Sequence, residues 1–175
     1  MLQYRLPASI LPAIQLNKIL PKDIMDPIII EFVNFDFDYE KIAFNAVDDE
    51  GVEIYHTNVM MALGEDIAII CLDTVRDDKE RNALVAKLRE TGKAIVEITI
   101  SQMKAFAGNM LQVRNKEGET FLVMSEQAFE SLNAEQVEKI ETHTSILSSP
   151  IPTIEALGGG SARCMMAEVF YPGMS

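Results

Sequence analysis

The chain has 175 residues, 48% hydrophobic and 24% charged. That is enough for one domain with a substantial core, and the balance excludes bulk disorder. Its formal charge of −12 repels phosphate, so neither nucleic acid nor an anionic membrane is an expected partner, while small cationic substrates are compatible with it. No apolar run is long enough to span a bilayer. The two cysteines sit in unlike contexts that suggest no disulfide, so a reducing cytoplasmic location is expected.

Residues 1–25 are left unassigned: Pro7, Pro12 and Pro21 interrupt their apolar letters, and no secretory signal is read there. A single domain is expected over residues 26–175, opening with a helix at Pro27 to Phe35 and a strand at Lys41 to Phe44. Next comes a hairpin whose first arm runs from His56 to Met61, turns at Gly64-Glu65-Asp66 and returns through Ile67 to Leu72. Asp77, with Glu80 three residues on, predicts a helix start, and Leu84, Val85 and Leu88 lie on one face before Gly92 ends it. A strand is predicted over Ala94 to Ile98.

The pattern then repeats at an offset of 51 residues, which aligns Asn58 with Asn109. Ala107 to Val113 leads through Lys116-Glu117-Gly118 into Phe121 to Met124. A helical stretch follows Ser125, pauses at Ser131-Leu132-Asn133 and restarts with Asn133 and Gln136 as a capping pair, before a strand over Thr144 to Leu147. Strand, strand, helix, strand, twice over, predicts a pseudosymmetric α/β array, because one such unit cannot bury its own apolar face. A third unit is expected to begin as a strand over Cys164 to Phe170.

The chemistry-bearing residues lie on this repeat. Three glycines, Gly158, Gly159 and Gly160, precede Cys164 by a few residues, a plausible way to present a nucleophilic thiol. The alternative is a small buried cysteine beside a tight turn, the reading also given to Cys71. His56 is either a hydrogen-bonded histidine at a strand end or an acid–base partner brought to Cys164 by the array. Arg163 suits an external salt bridge as well as a cation beside the thiol, Glu155 a polar turn, and His143 a helix-end cation. Met60, Met61, Met110, Met165 and Met166 are expected in the core. Asp48-Asp49-Glu50 reads as a solvated turn and Asp77-Asp78 as a helix start, not a metal site.

The stretches Ile54 to Met61, Phe106 to Leu111 and Ile154 to Met165 occur in this order and resemble the C-terminal half of the guanidino-group-modifying (pentein) superfamily. The resemblance covers about residues 26 to 172 and is greatest to citrulline-related amidinotransferase-like hydrolases, akin to arginine deiminase and dimethylarginine dimethylaminohydrolase. It implies a partial α/β propeller that lacks the N-terminal half of the ring. It also implies a hydrolase in which Cys164 attacks the guanidinium carbon and His56 serves as acid and base, giving a ureido product such as citrulline. Gly159 and Gly160 would admit the substrate. Asn58 would stand where arginine deiminases place a guanidinium-binding aspartate, a departure that weakens attraction for a cation; by its own chemistry it reads equally as an asparagine shaping the strand entry, as does Asn109. No metal or organic cofactor is implied. The expected ligand is arginine or a derivative, and the expected partner is a complementing N-terminal half chain or a second copy. A catalytically inactive remnant or binding subunit is the alternative.

Overall fold

The computed structural model describes residues 42–167. Two units of the same topology make up most of this span. In the first, a helical turn α1 (Thr57–Met60) runs directly into β1 (Met61–Leu63). A turn at residues 64–66 leads to β2 (Ile67–Ile70), followed by α2 (Asp78–Glu90) and β3 (Ala94–Glu97). The short helix α3 (Ile100–Lys104) joins it to the second unit: β4 (Leu111–Arg114), β5 (Thr120–Ser125), α4 (Glu126–Ser131), α5 (Ala134–Glu141) and β6 (Ser145–Ser149). Last come α6 (Pro152–Gly158) and a 3₁₀ turn at Ala162–Met165.

Each unit holds a three-stranded sheet, ordered β1-β2-β3 and β4-β5-β6. In both, the first pair is antiparallel and the second parallel, with Ile69 opposite Ala62 and Val96 in one sheet and Val123 opposite Leu111 and Leu147 in the other. A hairpin needs only a tight turn, whereas the parallel pair needs a crossover, which the helices supply. The repeat read from the sequence is therefore present in strand order and pairing. All four residues of β2 are fully buried, as are Leu122 and Met124 of β5, so the central strand of each sheet forms the core.

Helix boundaries follow local chemistry. The Asp77 carboxylate accepts from the backbone N–H groups of Lys79 (2.8 Å) and Glu80 (2.9 Å), satisfying donors that the first turn leaves open. Glu80 does not close a reciprocal box; its carboxylate accepts from Asn45 instead. Leu84 and Leu88, four residues apart, bury the inner face of α2. The Asn133–Gln136 capping box starts α5 as expected, and a second box, Thr99–Gln102, starts α3.

Several sequence expectations are corrected. Residues 57–60 form a helical turn, not a strand, because His56 caps them. Cys164 stands on a 3₁₀ turn, so the alternation of strand side chains does not govern Arg163, and residues 168–170 of the expected third unit lie outside the described residues. Ile42 to Phe44 form no strand; Lys41 and the expected helix over residues 27–35 also lie outside the described residues. Met60, Met61 and Met110 are core as expected, but Met165 is exposed. At Asp48 the expected turn is found, its carboxylate accepting from the N–H groups of Glu50 and Val52.

The two units are joined by polar contacts as well as apolar ones. The two capping glutamines grip each other: Gln102 Nε2 donates to Gln136 Oε1 at 2.7 Å, and Gln136 Nε2 donates to Gln102 Oε1 at 3.0 Å. Gln136 also donates to the Glu97 carbonyl at the end of β3, and Gln102 to the Ser131 carbonyl. At the other end, the turn between β1 and β2 is held by the second unit: Gln112 accepts from the Glu65 N–H, Arg114 pairs with Glu65, and His143 pairs with Asp66 at 3.1 Å. His143 is thus an interunit contact, not merely a helix-end cation.

Removing one member of the glutamine pair orphans polar groups in a half-buried seam, which costs about 1–3 kcal/mol. Gln136→Ala is expected to lower the urea midpoint accordingly. Glu138→Ala, on the exposed face of the same helix, should shift it by no more than about 0.5 kcal/mol.

Candidate active site

The site is assembled from three short turns, one at the start of each unit and one after the second. In the first, His56 precedes α1 in extended conformation, and its Nδ1 accepts the Asn58 N–H at 3.2 Å. A ring nitrogen that accepts must be unprotonated, so the neutral ring in this arrangement carries its proton on Nε2. Protonating Nδ1 would end that bond, so the two charge states of the imidazole differ in how they cap α1. Tyr55 packs edge-on to the ring, with centroids 6.2 Å apart.

In the second turn, Gly108 and Asn109 lie directly on the backbone of the first. A methyl group at Gly108 would fall 2.4 Å from the Val59 carbonyl oxygen and 2.9 Å from the Met60 carbonyl carbon, so no other residue fits without moving the main chain. Asn109 is buried, and its Nδ2 donates to the Asn58 carbonyl at 3.0 Å. The same nitrogen donates to Cys164 Sγ at 3.3 Å, while Oδ1 accepts the Arg163 N–H at 3.1 Å.

The third turn presents the thiol. Helix α6 ends at Gly158, and Gly159 caps it with a φ of +65°, the left-handed conformation that favours glycine. Gly160 is needed for a different reason: a Cβ there would stand 2.9 Å from Cys164 Sγ. The chain then passes through Ser161, fully buried, whose hydroxyl donates to Glu155 Oε1 at 2.7 Å. Glu155 is therefore a buried helical carboxylate bracing the glycine turn, not the polar turn residue its position suggested. Arg163 Nη1 reaches the Met166 carbonyl.

Hence hydrogen bonds through Asn109 connect His56, Asn58 and Cys164, and Gly160 lies against the Cys164 side chain. Cys164 is exposed and Asn109 links it to the main chain of Asn58, whose N–H is held by His56. Gly159 shapes the turn and makes no such contact. Asn109 and Glu155 are the residues that sequence reasoning undervalued. The alignment of Asn109 with Asn58 beside a glycine was the signal for the first; only burial reveals the second.

A family model described as N,N dimethylarginine dimethylhydrolase, eukaryotic, matches residues 25–171. The chain belongs to this family. It is thereby a member of the guanidino-group-modifying, or pentein, superfamily that its motifs resemble. No curated protein matches it. Among solved structures, ArgZ, an arginine dihydrolase from the ornithine-ammonia cycle in cyanobacteria, superposes with a TM-score of 0.58 at 17% sequence identity. The match covers 81% of the present chain and 20% of the ArgZ chain, so this protein spans a fifth of that one. At that identity the likeness concerns the fold, a mixed α/β arrangement with small sheets.

In this N,N dimethylarginine dimethylhydrolase family member the two thiols differ sharply. Cys71 is fully buried between β2 and the 3₁₀ turn Leu72–Thr74 that follows it, and burial pushes its thiol up to about 11, with Asp73 adding to the effect. Iodoacetamide at pH 8 is therefore expected to label Cys164 and spare Cys71 in the folded protein, with peptide mapping as the measurement. Because the folded-state value of Cys71 is raised, its contribution to stability is full below about pH 8.5, the ordinary thiol value. It should be lost as the pH rises through 11. Cys71→Ala should remove this part of the alkaline loss of stability in urea titrations between pH 8 and 11.

Proposed function

We propose that Cys164 and His56 are the nucleophile and the acid–base group of a guanidine hydrolase acting on arginine or an N-substituted arginine. The observation that carries this reading is the Asn109 bridge, which fastens the turn bearing Cys164 to the turn capped by His56 in a chain of this family. An exposed thiol on a turn fastened to the one His56 caps suits attack on a planar cation, and the net charge of −12 favours a cationic ligand.

The steps balance as follows. The Cys164 thiolate adds to the guanidinium carbon, forming a C–S bond and a tetrahedral adduct. A C–N bond then breaks as His56 delivers a proton to the departing amine, leaving an S-linked amidinium. His56 next takes a proton from water, whose oxygen adds to the same carbon. The C–S bond breaks, the thiolate is restored and a ureido product leaves, citrulline when the substrate is arginine. Gly159 and Gly160 line the approach to the sulfur. The Asn58 side-chain amide supplies a neutral contact for the guanidinium nitrogens.

The two units are read as consecutive parts of an α/β propeller, with residues 26–175 as its C-terminal portion. Their repeated strand order supports this, as does the 20% share of the ArgZ chain that the match covers. On this reading the remaining acidic groups around the substrate come from further propeller units, in a complementing chain or a second copy. The same coverage favours a second reading, in which the chain alone binds guanidines without turning them over.

Ureido product is measured with arginine and its methylated derivatives, for the chain alone and with candidate complementing chains. Cys164→Ser should abolish release, and His56→Ala should reduce it by about 10²–10⁴-fold, the range typical of a lost acid–base group. Cys71→Ser should retain it. Loss from Cys71→Ser in a folded protein would overturn these roles. Labelling by chloroacetamidine, a guanidinium-like cation, separates the two readings. Labelling of Cys164 faster than by chloroacetamide, and dependent on His56, supports the hydrolase, whereas cation-preferring labelling that does not depend on His56 supports the binding reading.

A further inference from the structure

We infer that Asn109 is a positioning residue for Cys164: its side-chain amide aims and supports the sulfur from the second unit. This rests on the reading of Cys164 as nucleophile, and it assigns work to a residue that touches no substrate in that mechanism.

The orientation of the amide is fixed by its partners. The Arg163 N–H is a donor, so the atom facing it at 3.1 Å must be the amide oxygen. The Asn58 carbonyl is an acceptor, so the atom facing it at 3.0 Å must be the nitrogen. With that nitrogen thus identified, the group directed at Cys164 Sγ, 3.3 Å away, is an N–H donor. Both Nδ2 hydrogens are used, one on the Asn58 turn and one on the Cys164 turn, and the side chain is buried, so the amide has little freedom to rotate. The backbone carbonyl of Asn109 also accepts the Arg163 N–H, at 3.3 Å, so the residue preceding the cysteine is held twice. Gly108 lies so near the first turn that a Cβ on it would stand 2.4 Å from the Val59 carbonyl oxygen.

A donor aimed at sulfur stabilises the anion more than the thiol, and a hydrogen bond to a charged acceptor is worth about 1.5–3 kcal/mol. Removing the amide therefore deprives the thiolate of support as well as freeing its turn. Bracing from the opposite side, through Glu155 and Ser161, holds the same turn without offering a donor to the sulfur.

The difference can be read from the rate of Cys164 alkylation by iodoacetamide between pH 5.5 and 10, followed by peptide mapping in the full chain. Protection of Cys71 in the same samples reports that each variant is folded. Asn109→Ala is expected to slow alkylation by about tenfold or more near pH 7, a loss that follows from the charged hydrogen bond. The deficit should shrink as the pH rises, because the lost donor supports only the anion. Glu155→Ala, which loosens the turn and leaves the donor, should change the rate by the same factor at all pH values. A pH-independent change in Asn109→Ala, or no change, would overturn the assignment. Should Asn109→Ala expose Cys71, Asn109→Asp, which keeps the size and the acceptor for Arg163, replaces it under the same criteria. The alkylation does not require turnover: retained hydrolysis in Cys164→Ser would overturn the proposed function, whereas an unshifted profile would overturn the role of Asn109 alone.

Discussion

The contact on which the rest depends is the seating of Gly108 and Asn109 on the backbone of Asn58, Val59 and Met60. Two main chains approach so closely there that a single methyl group is excluded. At such a distance both chains must satisfy their polar groups against each other or lose them, and the Asn109 amide does this by donating to the Asn58 carbonyl. The second hydrogen on the same Nδ2 is directed at Cys164. One packing constraint between two repeated units thereby sets the relative position of a thiol and an imidazole separated by 108 residues of sequence.

Repetition explains why this is possible. Each unit opens on a turn that runs directly into an outer strand, and each outer strand pairs antiparallel with a buried central one. Stacking two such units brings their opening turns side by side, and the turn after α6 joins them through the Arg163 N–H. The seam is secured far from the site as well, by the reciprocal glutamines at one end and by the β1–β2 turn at the other. Lys93 belongs to the latter anchor: it is buried, donates to the Glu65 carbonyl, and burial lowers its pKa against the pull of Asp66 and Glu65. Such anchors restrict sliding of one unit on the other, and sliding is what would separate the turns of the site.

Much of this was legible in the sequence because the signals were local or periodic. Asp77 and the Asn133–Gln136 pair announce helix starts through hydrogen bonds made within four residues, and the 51-residue offset exposes the repeat without any knowledge of contacts. The motifs around His56 and Cys164 pointed to the superfamily that the family match establishes. What misled was reading apolar letters as strand. In the stretch from His56 to Met60 only Met60 is fully buried, and the stretch beginning at Cys164 is largely exposed; each curls into a short helical turn. Over four or five residues apolar letters do not separate a strand from a helical turn. Glu155 was misjudged for the converse reason: a charged letter suggested solvent, whereas the Ser161 hydroxyl six residues later makes its burial tolerable.

The two cysteines show how far environment outweighs residue type. Cys71 sits where backbone hydrogen bonds from the 3₁₀ turn favour its anion, but desolvation and Asp73 prevail and hold the proton in place. Cys164 has a donor amide on one side and open solvent on the other, and its neighbours Gly160 and Ser161 keep bulk away from the sulfur without enclosing it. The fold buries Cys71 just past the end of a central strand and leaves Cys164 exposed beyond a glycine-capped helix end. Because that helix end is braced from behind by a buried carboxylate and from the front by an amide of the neighbouring unit, exposure of the sulfur does not entail loss of its position. The position of the Cys164 sulfur is therefore tied to the seam between units, because the Asn109 amide that contacts it also holds the Asn58 carbonyl.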